Sequence, residues 1–154
     1  LLAMEAICAT GIRVSELRFF TVEAVRAGKA VVTNKGKTKE VYLPGKLCKR
    51  LREYARVHNV VSGPVLVTRG GQPLDRSNLW REMKGLCREA KVSAGKVFPH
   101  NLRHLFARTY YNAERDLARL ADILGYASVD TTRIYTLETG LTWRKKLDKL
   151  NLLL

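Results

Sequence analysis

The chain has 154 residues, of which 46% are hydrophobic and 27% are charged, a composition typical of one globular domain rather than of a disordered or fibrous chain. Its 28 lysines and arginines outnumber 14 acidic residues and give a formal charge of +14, which favours a polyanionic partner, most commonly nucleic acid. It has no run of 18 apolar residues and no basic amphipathic helix with an aromatic face, which argues against a membrane role.

The cysteines and the first residues indicate where the chain resides. Cys8, Cys48 and Cys87 are far apart and form no Cys-x-x-Cys pair, a pattern typical of reduced thiols in a cytosolic protein. The opening LLAMEAICAT has no basic leader and resembles the end of a helix, and the chain begins without a methionine. We therefore expect a cytoplasmic fragment of a longer protein.

The first third of the chain predicts a helix, a short helix and a hairpin. Residues 2–9 are helix-like and are followed by Thr10 and Gly11, the latter a common residue after a helix C-terminus. Ser15 is a candidate N-cap for a short second helix. Residues 30–33 and 40–43 read as antiparallel strands joined by a turn at residues 34–37.

The middle third predicts two amphipathic helices on either side of a short strand. The first helix has apolar residues at a period near 3.6, and the second begins at Asp75 or Ser77. Between them, residues 64–68 read as a strand and residues 69–73 as a loop. The expected buried faces are Leu47, Leu51, Tyr54 and His58 for the first helix, and Leu79, Met83, Leu86 and Ala90 for the second.

The last third predicts three more short helices. Pro99 suits the first turn of one helix, residues 117–124 form another that ends at Gly125, and Ser128 can cap the third. Residues 139–154 repeat leucines among basic residues. The whole chain, residues 1–154, is thus expected to be one mostly helical α+β domain with a small antiparallel sheet.

A set of basic residues and one tyrosine have the chemistry needed to attack a phosphodiester. His100 and Arg103 are three positions apart, so on a helix they share one face, and Arg13 lies in a rigid bend between Gly11 and Ser15. Guanidinium groups stay charged and match the geometry of phosphate oxygens. Tyr135 offers a phenol that is neutral at pH 7 and whose ionisation two arginines would favour.

The chain resembles the tyrosine recombinases, also called the phage integrase family, over nearly its whole length. The matching segments are TGIRVSEL around Arg13, NKGKTKEVYLP around Lys35, FPHNLRHLFA around His100 and Arg103, and LADILGYASVDTTRIYT, which contains Tyr135 as its last residue but one. The resemblance implies the catalytic domain of an enzyme that cleaves and rejoins DNA through a 3′-phosphotyrosyl bond. It implies no metal and no nucleotide cofactor.

The resemblance also implies a role for each matching residue. Arg13 and Arg103 would neutralise the phosphate, and Lys35 at the hairpin tip would protonate the leaving 5′ oxygen. Lys37 and Lys39 are close enough in sequence to be confused with Lys35, and all three are candidates for DNA binding. A solvated hairpin lysine is the ordinary alternative for each.

The remaining candidates are Tyr135 as the nucleophile and three supporting residues. His100 would assist acid–base transfer, and Glu16 would hold Arg13 in place, although a carboxylate in the first turn of a helix also favours the helix dipole. Tyr126 stands where the family usually has histidine; it can donate a hydrogen bond to a phosphate oxygen but carries no positive charge. His104 is expected to point about 100° away from Arg103 and to be structural.

The resemblance implies double-stranded DNA as the partner, a tetramer on DNA for the full-length protein, and a cytoplasmic, nucleoid-associated location in a bacterium. It also implies that an N-terminal DNA-clamping domain is missing. The tail at residues 139–154 would dock on a neighbouring subunit or fold back on its own domain. The alternatives are a non-catalytic DNA-binding module of the same fold and an RNA-binding or ribosome-associated basic protein.

Overall fold

The computed structural model describes residues 1–34, 36–68 and 70–135. It confirms a mostly helical α+β fold with a small antiparallel sheet. None of the described helices has the length and apolar character needed to cross a bilayer. In chain order the elements are α1 (Leu2–Thr10), a 3₁₀ segment (Val14–Phe19), α2 (Val22–Ala27), β1 (Lys29–Asn34), β2 (Lys37–Tyr42), α3 (Gly45–Val57), α4 (Arg76–Glu89), a 3₁₀ segment (Ala94–Lys96), α5 (Pro99–Glu114), α6 (Leu117–Leu124) and a 3₁₀ segment (Val129–Tyr135).

Local hydrogen bonds fix the ends of the helices that carry the site. Gly11 ends α1 in the left-handed conformation, with its N–H donating to Ile7 O at 2.8 Å. Asp75 is the N-cap of α4 and accepts from the Asn78 N–H at 2.7 Å. Ser128 Oγ accepts from the Asp130 N–H at 3.1 Å, as expected for a cap of the last short helix. These ends position the turns on either side of the site.

The hairpin β1–β2 buries one face and exposes the other. Its strands pair from Lys29 opposite Tyr42 to Asn34 opposite Lys37. Ala30 and Val32 on β1 are buried because alternate residues of a strand face the same side. The side chains of the opposite face are free to reach solvent or a ligand.

The described part of the chain has a hydrophobic core of two clusters. The larger cluster packs helices α1, α2, α3 and α4 together with the hairpin and includes residues such as Phe20 and Leu51. The smaller one packs Ala107 of α5 against Leu120 and Leu124 of α6 and against Tyr135. Helix α1 packs on α5. Residues that end α1, line α5 and follow α6 therefore meet where the two clusters join.

Three local predictions were wrong. Residues 64–68 form no strand; Pro64 and Val67 make isolated bridges to Thr21 and Pro73, because each segment has only one residue pair in register. Helix α2 was not predicted, since six residues are too few to show a clear period. Ser15 is not the N-cap of the first 3₁₀ segment, which begins one residue earlier after Arg13.

The buried faces of α3 and α4 are rotated from the predicted ones. Helix α4 buries Leu79 and Met83 as expected but then Cys87, whereas Leu86 is 37% exposed and Ala90 is exposed. The small thiol of Cys87 fits where α4 lies close to the core, whereas the longer Leu86 side chain does not need that position. On α3 the buried face consists of Leu47, Cys48, Leu51 and Ala55, with Tyr54 half-buried and His58 exposed.

Replacing Gly11 with alanine should destabilise the domain more than the same change at Gly28. Both glycines follow a helix in left-handed conformation, with φ of 65° and 72°. A Cβ at Gly11 would lie 2.7 Å from Phe106 Cε1, whereas nothing lies within 4 Å of one at Gly28. The conformation alone costs about 1–2 kcal/mol, and the clash adds about 1–3 kcal/mol. Equal urea midpoints for Gly11→Ala and Gly28→Ala would contradict this packing.

Candidate active site

Arg103 of α5 is a buried cation held by the ends of two other helices. Its side chain is 2% exposed, and its guanidinium donates to Gly11 O after α1 and, at 2.6 Å, to Leu124 O at the end of α6. Helix C-termini are negative, so these carbonyl oxygens compensate part of the buried charge. Burial and the neighbouring Arg13 charge lower the pKa of Arg103, yet a guanidinium stays charged at neutral pH.

Arg13 faces the same place from the other side. It lies in extended conformation between α1 and the first 3₁₀ segment, with its side chain 37% exposed. Arg13 and Arg103 lie beside the Tyr126 ring, with Cζ atoms 6.0 Å and 5.2 Å from its centroid. Together with His100 and Arg76 they line one cleft of about 250 Å³. The structure therefore brings the two predicted arginines and His100 to a single small cleft.

Glu16 fixes the orientation of Arg13, as the sequence predicted. Its carboxylate accepts from the Arg13 N–H at 3.1 Å and from the Arg13 guanidinium at 3.0 Å, and its side chain is 2% exposed. Burial alone would raise the pKa of Glu16, but the hydrogen bond from Arg13 N–H and the Lys39 and Arg13 charges hold it below its usual range. Glu16 therefore stays ionised and pairs with two cations.

Lys39 is the hairpin lysine that the structure places in the site. Its side chain is 17% exposed, and Nζ lies 3.2 Å from Glu16 Oε2 in an ion pair whose alignment is not that of a hydrogen bond. Burial lowers the pKa of Lys39 despite the Glu16 charge. Lys37, which is exposed, and Lys39 line a second cleft of about 620 Å³ that also includes Arg13. Lys35 lies outside the described residues.

His104, which the sequence assigned a structural role, contacts the predicted nucleophile. Its Nδ1 lies 2.8 Å from Tyr135 Oη. The His100 ring packs edge-on against His104, with centroids 4.3 Å apart. Helix geometry alone suggested that His104 points away from Arg103; it could not show that the segment carrying Tyr135 packs on that side of α5.

Tyr135 packs in the site with Tyr126. Tyr135 is 8% exposed, and Tyr126 packs against the cluster to which Tyr135 belongs, with its ring centroid 5.2 Å from the Arg103 Cζ. Burial raises the pKa of Tyr135, and the Tyr126 hydroxyl adds to this rise. Burial would also raise the pKa of Tyr126, but the Tyr135 hydroxyl and the charges of Arg103 and Arg13 lower it. The residue in the usual histidine position therefore packs beside both the buried arginine and the cluster of the nucleophile.

The described residues form no group of three or more histidine, cysteine, aspartate or glutamate side chains that could hold a metal ion. The sequence analysis gave His104 no role in the site. It named Lys39 only as a residue that could be confused with Lys35 and as a candidate for DNA binding. An alternation signal existed for Lys39, since it is two positions from Val41, which faces the same side of β2 and is buried. No sequence signal marked His104.

Proteins with similar sequences are recombinases. Tyrosine recombinase XerA of Pyrococcus furiosus is 31% identical over 151 residues, which cover 94% of this chain and 52% of XerA. Tyrosine recombinase XerD of Listeria monocytogenes is 30% identical over 148 residues, which cover 90% of this chain and 50% of XerD. The chain thus spans about half the length of these curated relatives.

The fold is also that of a solved recombinase. The crystal structure of XerA recombinase superposes with a TM-score of 0.76 at 26% identity, over 99% of this chain and 56% of that one. The model of the phage integrase family matches residues 1–139, which include every site residue described above. This chain belongs to the phage integrase family.

Proposed function

We propose that this chain is the catalytic part of a tyrosine recombinase that cleaves and rejoins DNA strands through a 3′-phosphotyrosyl intermediate. The observation that carries the proposal is the shared cleft of Arg13, Arg103 and His100, with Tyr126 packed beside Arg103 and against the cluster that contains the buried Tyr135. Two fixed cations and a phenol at one place suit a phosphodiester, because its cleavage requires charge neutralisation and a nucleophile.

Cleavage begins when the scissile phosphate enters the cleft. Arg13 and Arg103 bind its non-bridging oxygens. The electrostatic stabilisation that they provide is largest in the transition state, where negative charge has grown. Tyr135 Oη attacks phosphorus, the Oη–P bond forms and the bond to the 5′ oxygen breaks. The phenol proton leaves to a base in the site, and the 5′ oxygen takes a proton from a lysine. Rejoining is the reverse, so the phosphodiester energy is retained.

Two hairpin lysines have the chemistry of the proton donor. Lys35 matches the family's general acid, and Lys39 is held by Glu16 at the edge of the site. An ammonium whose pKa is lowered toward neutral transfers its proton more readily, which suits Lys39 as well. We assign the transfer to Lys35 and assign Lys39 the role of raising the positive potential at the phosphate.

Double-stranded DNA is the proposed partner, supported by the charge of +14 and the two basic clefts. A solved neighbour with 24% identity and a TM-score of 0.77 over 97% of this chain and 46% of that one is XerH site-specific recombinase bound to its difH substrate before cleavage. We further propose that the full-length protein acts as a tetramer on DNA, in the cytoplasm at the bacterial nucleoid.

The chain should form a covalent adduct with nicked DNA that depends on Tyr135. A pool of nicked duplexes, randomised around the nick, should yield an SDS-resistant protein–DNA species, because the nick lets the short leaving strand diffuse away before rejoining. Tyr135→Phe should abolish it, and Tyr42→Phe should not, since Tyr42 is an exposed hairpin tyrosine outside the site.

Failure of the adduct assay would distinguish the alternatives. DNA binding by the parent chain without an adduct favours a non-catalytic DNA-binding module of the same fold. Weak binding to any polyanion, with a steep loss on adding salt and no adduct, favours an RNA-binding or ribosome-associated protein. An adduct that still forms in Tyr135→Phe would show that Tyr135 is not the nucleophile.

Tyr126→His should preserve or raise the rate of adduct formation. An imidazole N–H can donate where the hydroxyl does, and its positive form strengthens the bond to a phosphate oxygen by about 1 kcal/mol, or about fivefold in rate. Tyr126→Phe, which has no donor, should be slower than the parent chain. Loss of cleavage in a folded Tyr126→His variant, with the far-ultraviolet circular dichroism unchanged, would show that the hydroxyl itself is required.

Lys35→Ala should be rescued by a better leaving group. A duplex of the sequence recovered from the pool, with sulfur in place of the 5′ bridging oxygen, needs no proton donor because a thiolate leaves readily. We expect Lys35→Ala to lose about 10²–10⁴-fold on the oxygen substrate and little on the sulfur one. Lys39→Ala should be impaired on both. The reverse pattern would assign the proton donor to Lys39.

A further inference from the structure

We propose that His104 is the base that takes the proton of Tyr135 during cleavage. This inference deepens the proposed function and rests on it for the chemical step. Its basis is the contact of His104 Nδ1 with Tyr135 Oη at 2.8 Å, with the two rings 5.5 Å apart between centroids. A base must lie within hydrogen-bond reach of the proton that it removes, and His104 does.

The tautomer of His104 follows from this contact. The Tyr135 hydroxyl donates to Nδ1, so Nδ1 is unprotonated and His104 carries its own proton on Nε2. The phenol proton therefore already points at the atom that would receive it.

The surroundings keep His104 in the form that accepts a proton. Burial lowers its pKa, and the charges of His100, Arg108 and Arg103 lower it further. A neutral imidazole next to a phenol can accept its proton, whereas an imidazolium cannot. The charges of Arg103 and Arg108 also act to lower the pKa of Tyr135, against the rise that burial causes.

His100 is less well placed for this step. It is exposed at the start of α5, lies on the cleft with Arg13 and Arg103, and meets the edge of the His104 ring. Its position suits contact with a phosphate oxygen or with the leaving group. The two histidines, one helical turn apart, therefore have different roles: His104 faces the nucleophile and His100 faces the phosphate.

The step balances without any further reactant. As the Oη–P bond forms and the P–O5′ bond breaks, the phenol proton moves to His104 Nδ1 and gives an imidazolium. The 5′ oxygen takes its proton from the hairpin lysine. In rejoining, the 5′ hydroxyl loses its proton to that lysine and attacks phosphorus. Tyr135 then leaves as a phenolate and recovers its proton from His104.

The test compares three variants on the duplex recovered from the nicked pool. His104→Ala should slow adduct formation by about 10²–10⁴-fold, on both the oxygen and the sulfur substrate, and added imidazole should restore part of the rate. His104→Asn places an amide oxygen near the former Nδ1 position; it can accept the phenol hydrogen bond but cannot take the proton, so it should be slow as well. His58→Ala, at an exposed histidine on α3, should match the parent chain.

Several outcomes would overturn the assignment. Full activity of folded His104→Asn would reduce His104 to a positioning residue. Rescue of His104→Ala by the sulfur substrate would place it on the side of the leaving group, and parental activity of His104→Ala would remove it from the reaction. Urea unfolding of each variant separates these outcomes from loss of the fold.

A second measurement does not depend on activity. Nitrogen-15 spectra of the parent chain without DNA should show His104 with its proton on Nε2 and a hydrogen-bonded, unprotonated Nδ1. Tyr135→Phe should remove the hydrogen-bond shift at Nδ1, and His58 should be unaffected. An unchanged His104 signal in Tyr135→Phe would contradict the contact even if the chain forms no adduct, whereas absence of an adduct alone would count against the proposed function.

Discussion

The fold and the site both depend on the buried guanidinium of Arg103. A cation with 2% exposure must be compensated, and its described hydrogen-bond partners are two carbonyl oxygens rather than carboxylates. Removing one partner of a buried charge costs about 3–5 kcal/mol, so the ends of α1 and α6 are held against α5 by this one side chain. Because carbonyl dipoles neutralise it only in part, positive potential remains for an anionic ligand.

The join between the two core clusters explains why the reacting groups come from distant parts of the sequence. Arg13 follows α1 in the larger cluster, whereas Tyr135 is itself a member of the smaller one. Arg103 lies on α5, which packs on α1 and on α6. A phosphate bound between the arginines would thus be held by side chains that both core clusters position. Its binding would therefore be sensitive to how tightly the two clusters pack against each other.

Sequence reasoning succeeded where a local pattern determines a local structure. The i, i+3 spacing of His100 and Arg103, the glycine after α1 and the acidic partner of Arg13 all follow from short-range geometry, and the structure has them as expected. It failed where a contact joins segments far apart in sequence. The pairing of Tyr135 with His104 spans 31 positions and depends on how the last 3₁₀ segment packs, which no periodicity reveals.

The same distinction explains the smaller errors. Residues 64–68 have a composition typical of a strand but pair with other segments only at single residues. Whether α4 buries Cys87 or Leu86 depends on the shape of the core that faces the helix. The role of Tyr126 was expected to be a weakened substitute for histidine. Its packing beside Arg103 and against the cluster that contains the nucleophile is a tertiary arrangement that the sequence motif did not indicate.

Gly125 has a further consequence for how the hairpin and the nucleophile could communicate. A Cβ at this left-handed residue would lie 3.2 Å from Lys39 Cδ, so the stem of the hairpin lysine rests on the backbone of the turn that leads to Tyr126. A shift of β2 would therefore disturb this turn through direct packing, and with it the position of the Tyr126 ring beside the two arginines.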